Sequence, residues 1–130
     1  MDNDDLITLV AWHPPTDGPT FACRSDYVEQ CWTPLLGPSS ILLLRLLETI
    51  VTDTPVRLSL HELAHRIGVA DSVARRTLLR LKQFRHIALL DDGTIGVRTQ
   101  LPALAPGQVR RIPATAEAMH HRHLAHTEAA

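Results

Sequence analysis

His61-Glu62-Leu63-Ala64-His65 sets two imidazoles four residues apart, with a carboxylate beside the first. On a helix those imidazoles share one face, where they can hold zinc while the glutamate serves as general base. Gly68 and Asp71 extend the string with a second carboxylate. Just downstream, Arg75, Arg76 and Arg80 recur among Ser72, Val73 and Gln83, and Arg98 follows at a distance. That set suits a different chemistry. Arginine reads guanine through paired hydrogen bonds, glutamine reads adenine, and a serine at a helix N-terminus suits a phosphate.

Both sets depend on the elements that hold them. Ser59 or Leu60 opens a predicted helix from His61 to Ile67, which Gly68 ends. Asp71 is the expected N-cap of a second helix running from Ser72 to Arg85. Ala74, Leu78 and Leu81 share one face of it, so Ser72, Arg76, Leu79 and Gln83 point outward, flanked by Val73, Arg75 and Arg80. Leu63, Ile67 and Val69 complete the expected core. Ile87–Leu90 and Thr94–Thr99 flank Asp91-Asp92-Gly93, which reads as a hairpin turn. Arg98 on that hairpin is placed to reach a phosphate or the minor groove. Upstream lie a strand from Leu6 to Trp12, a proline-rich loop, a short helix from Asp26 to Leu36, an apolar helix from Ser39 to Val51 and a candidate strand at Val56-Arg57-Leu58. A last helix spans Ala114 to His126.

The segment from Leu60 to Leu81 resembles the helix-turn-helix of bacterial winged-helix regulators, matching in Glu62-Leu63-Ala64, Ile67-Gly68-Val69 and the capped helix with Arg75-Arg76, Leu78 and Leu81. A wider set of residues is similar to small actinobacterial winged-helix proteins: 33–40, 76–78, 95–99, 101–104 and 110–113. The resemblance implies a mainly α fold with a small β-wing. It comprises an N-terminal arm over 1–36, a winged helix-turn-helix over 37–101 and a C-terminal extension with a helix over 102–130. It also implies sequence-specific binding of double-stranded DNA by Ser72, Val73, Arg75, Arg76, Arg80, Gln83 and Arg98, in a transcriptional regulator that pairs as a homodimer. The string from His61 to Asp71 also looks like the ligand set of some small secreted bacterial metalloproteases. Against that reading, the acidic start Met1-Asp2-Asn3-Asp4-Asp5 is no secretory signal, and no methionine turn follows closely. Neither catalysis nor a cofactor or bound metal is expected, and the expected location is the cytoplasm.

Charge divides the chain. Residues 1–56 carry two positive and eight negative side chains, whereas 57–111 carry ten positive and four negative. The basic stretch is a plausible footprint for a polyanion. The acidic half, with Trp12, Trp32, the helix from Ser39 to Val51 and Leu79, fits a protein partner instead. A winged-helix interaction module therefore stands as the alternative function. Cys23 and Cys31 have no zinc spacing and are expected as free thiols. His120, His121, His123 and His126 are expected on a solvated helix end.

Overall fold

The computed structural model describes residues 6–129. Leu6-Ile7-Thr8-Leu9-Val10-Ala11-Trp12 is apolar at nearly every position, the pattern of a strand covered on both faces. It forms β1 (Leu6–Trp12), an interior strand of a four-stranded mixed sheet of order β3-β1-β5-β4. Strand β3 (Val56–Ser59) pairs antiparallel with β1, Leu9 opposite Val56. Strand β5 (Ile95–Arg98) pairs parallel with β1, Leu9 opposite Ile95 and Trp12 opposite Arg98. Strand β4 (Ile87–Leu89) closes the edge against β5. A second, two-stranded sheet joins β2 (Thr20–Ala22) to β6 (Gln100–Pro102).

This corrects the expected fold class. With about 52% helix and 20% strand the chain is an α+β protein, not a mainly α fold with a small β-wing. The expected hairpin exists, but the N-terminal strand is inserted beside it, and what would have been a wing is one side of a sheet. Gly96 permits this packing: a Cβ there would lie 2.8 Å from the Trp12 Cβ and 2.9 Å from its Cγ.

Residues 26–36 are helical. Val28–Trp32 form a π-helical turn that runs into α1 (Thr33–Leu36). Pro34 has no N–H to give the carbonyl four residues back, and the wider turn accommodates it. The Ser25 hydroxyl, rather than Asp26, accepts from the Val28 amide. Helix α2 (Pro38–Ile50) buries Ile41, Leu43, Leu44 and Leu47 and leaves Leu42 exposed. Short α5 (Pro106–Val109) precedes α6 (Ala114–Ala129). Helix α6 is tied to the π-helical turn. The Tyr27 hydroxyl lies 2.8 Å from His120 Nδ1 and accepts from the Leu104 amide at 2.8 Å, and His123 Nε2 lies 3.0 Å from Gln30 Oε1. The tail histidines are thus divided: His120 is buried, His123 faces the π-helical turn, and His121 lies 3.6 Å from Glu117. Cys23 and Cys31 are buried and unbridged, and burial pushes their thiols up to about 12 and about 11. No helix among the described residues is long and apolar enough to cross a membrane.

Candidate nucleic-acid interface

Helix α3 (Leu60–Ile67) begins at Ser59, whose side chain accepts from the Glu62 amide. It ends at Gly68, held at φ 76°, a left-handed conformation that suits glycine. The Gly68 amide donates to His65 and the Val69 amide to Ala64, which satisfies the last carbonyls and turns the chain. Helix α4 (Asp71–Gln83) follows. Its N-cap is Ala70, with no side-chain bond; Asp71 is the first helical residue. The Asp71 carboxylate instead meets His61 Nδ1 at 2.8 and 3.0 Å, clasping the starts of the two helices together. Ala74 and Ala64 are fully buried where the helices cross, and Leu63 and Leu81 are fully buried in the main core. Leu78 packs against both clusters.

The zinc string takes its shape from this clasp. His61 and His65 stack with centroids 6.4 Å apart, and Asp71 holds a nitrogen of His61. Among the described residues no group of three His, Cys, Asp or Glu is arranged to hold a metal ion.

The arginines fall into three settings. Ser72, Arg76, Leu79 and Gln83 are exposed in one row, opposite Ala74, Thr77 and Leu81. On one flank Val73 is half-buried, and Arg80 donates from Nε to the Leu36 carbonyl at 3.1 Å and from Nη2 to the Leu35 carbonyl at 2.8 Å. Arg80 therefore closes the C-terminal end of α1, with its guanidinium 5.5 Å from the Phe84 ring centre. On the other flank Arg75 and Lys82 border the hairpin. Arg98 lies off the helix. Its Nε donates to the Arg85 carbonyl at 3.0 Å and its guanidinium lies 5.5 Å from the Trp12 ring. The hairpin tip bears Asp91 and Asp92, and bonds from the Thr94 amide and hydroxyl hold the Asp92 carboxyl below the usual range.

No known family, curated protein or solved structure matches the chain. The candidate interface is accordingly described by its own geometry. It brings Ser72, Arg76 and Gln83 together on one row with Arg75 beside them, while Arg80 and Arg98 are bound to backbone carbonyls. Lys82 was not singled out by the sequence; seven residues after Arg75, it occupies the same flank. Of the residues read as a partner surface, Leu42 and Leu79 are exposed and Trp12 is half-buried, whereas others belong to the core. Trp32, Leu43, Leu44 and Leu47 are buried, and the Trp32 Nε1–H donates to the Pro102 carbonyl at 2.9 Å.

Proposed function

We propose that this chain binds double-stranded DNA by laying the outward row of α4 in the major groove, as a sequence-reading regulator. The observation that carries the reading is that row: Ser72, Arg76 and Gln83 exposed on a helix whose opposite face is buried and whose start is clasped to α3. In this reading Arg76 and Gln83 read base edges, and Ser72 donates to a phosphate at the helix N-terminus. On the hairpin flank a phosphate contact falls to Lys82, beside Arg75, while Arg80 already holds two carbonyls. Pairing of two copies would present two such helices to adjacent half-sites.

The test is selection from a random duplex pool followed by fluorescence-anisotropy titration at several salt concentrations. The expected outcome is a shared sequence and an affinity that falls steeply with salt. A chain that retains no duplex even at low salt, over concentrations spanning monomer and dimer, would refute the reading.

A further inference from the structure

Between the start of α2 and the outer face of α4 lies a hollow of about 270 Å³, just under the size of sites that hold drug-sized molecules. Ser39 and Ser40 line it from α2, and Arg76 and Arg80 from α4. Among the described residues no carboxylate lines it.

The start of α2 is built without a side-chain cap. Gly37 holds the N-cap position at φ 90° and has no side chain to accept from the first amides. Pro38 has no N–H, and the Ile41 amide reaches the Gly37 carbonyl at 3.4 Å. The amides of Ser39 and Ser40 are thus left without an acceptor in the helix. Ser40 adds a polar group of another kind. It is 2% exposed, and its hydroxyl makes no hydrogen bond among the described residues. Among those residues the side-chain atoms both sealed from solvent and unpartnered belong to His86 alone, so the Ser40 hydroxyl keeps an opening, and Ser40 reaches the surface in this hollow. A hydroxyl buried without a partner is destabilising, and an acceptor in the hollow would relieve it. Arg76 stands at the border, exposed and with no ion pair or hydrogen bond among the described residues. Arg80 gives Nε and Nη2 to the Leu36 and Leu35 carbonyls, which fixes its positive charge beside the hollow.

We propose that this hollow binds the terminal phosphate of a small phosphorylated molecule, and that this occupant competes with the duplex for Arg76. Charge and donor geometry decide the occupant. Two arginines with no carboxylate between them suit a dianion. A terminal phosphate carries close to two negative charges near pH 7 and three acceptor oxygens, whereas a carboxylate or a phosphodiester carries one charge and two free oxygens. The amides of Ser39 and Ser40, the Ser40 hydroxyl and the Arg76 guanidinium supply the donors, and the rest of the hollow leaves room for a small organic remainder. Binding of the ester stands apart from duplex binding; the competition rests on the reading of Arg76 given above.

The probe is ethyl phosphate, titrated into the full chain by calorimetry in the absence of DNA, with diethyl phosphate and acetate as comparisons. The expected result is saturable binding with a Kd of about 1 mM or tighter. Both comparison anions should bind more weakly by about tenfold or more, and affinity for the monoester should fall as the pH drops below about 6 and the ester takes up its second proton. The amide resonances of Ser39 and Ser40 should shift along the same saturation curve. Arg76→Gln, at an exposed position, should weaken binding by about tenfold. Ser40→Ala should weaken it by about threefold or more, yet unfold at the wild-type midpoint or above, because no bond is lost. Saturating ethyl phosphate should lower affinity for the selected duplex. No saturable binding, equal binding of the diester, or binding indifferent to both Ser40→Ala and Arg76→Gln would overturn the site. A duplex bound equally well with and without saturating ester would overturn the competition. A chain that binds the ester and no duplex would uphold the site and overturn the competition together with the duplex reading.

Discussion

On one flank of α4, Arg80 closes the end of α1 and lies over Phe84, and beyond it the buried His86 ring meets Trp32 edge-on at 4.4 Å. On the other flank, Arg75 and Lys82 border a cleft whose leucines stay exposed. Both flanks carry basic side chains on the same helix, and a helical wheel treats them alike. What separates them is the neighbour: carbonyls of a finished helix on one side, and on the other the edge strand β4, which pairs only with β5 among the described residues. Arg80 is therefore spent on the backbone of a neighbouring helix, which its place on the wheel does not reveal.

The largest expected effect lies on the closed flank. Trp32→Ala should cost about 3–5 kcal/mol in urea unfolding, since it empties a fully packed site and removes the bond to the Pro102 carbonyl. A smaller loss would mean that this flank is less closed than its geometry indicates.

His86 comes next. Both ring nitrogens are buried with no hydrogen-bond partner among the described residues, and burial, assisted by Arg98, pushes its pKa down to about 3. The unfolded chain takes up this proton near pH 6.5 and the folded chain only near 3, so between them the unfolded state binds more protons. Stability from this group is complete above pH 6.5 and is lost as the pH falls, with a slope of up to about 1.4 kcal/mol per pH unit. His86→Leu should remove that slope and raise stability at pH 7 by about 1 kcal/mol. Parallel pH profiles for wild type and variant would contradict the buried, unpartnered ring.

Arg80→Ala should cost about 1–2 kcal/mol, the low end for bonds from a charged donor, because the side chain remains partly in water. On the open flank, Lys82→Glu should change stability by less than about 0.5 kcal/mol. If Arg80→Ala and Lys82→Glu proved equally harmless, the contrast between the flanks would collapse.

The local elements were legible in the sequence because their signals are local. Gly68, Asp91-Asp92-Gly93 and the run from Leu6 to Trp12 mark a turn, a hairpin and a strand at the places observed. The pairing of that strand was not legible. The parallel contact of Leu9 with Ile95 joins residues far apart in the chain, and no periodicity encodes it. Periodicity did place Ser72, Arg76 and Gln83 outward. It could not report that the Leu35 and Leu36 carbonyls would bind Arg80, or that Asp71 would hold His61 instead of capping its own helix. Leu79 was the one visible sign of the cleft, an aliphatic residue on an otherwise polar row.

Arg76→Ala tests the central proposal most directly. Its side chain is exposed, at the border of the hollow that it lines with Leu36 and Arg80, so the unfolding midpoint should stay close to that of the wild type. Affinity for the selected duplex, read by anisotropy at fixed salt, should fall by about five- to 150-fold, or about 1–3 kcal/mol, with relaxed preference at one base pair. Superimposable titrations of wild type and Arg76→Ala would contradict the assignment of this row to duplex recognition.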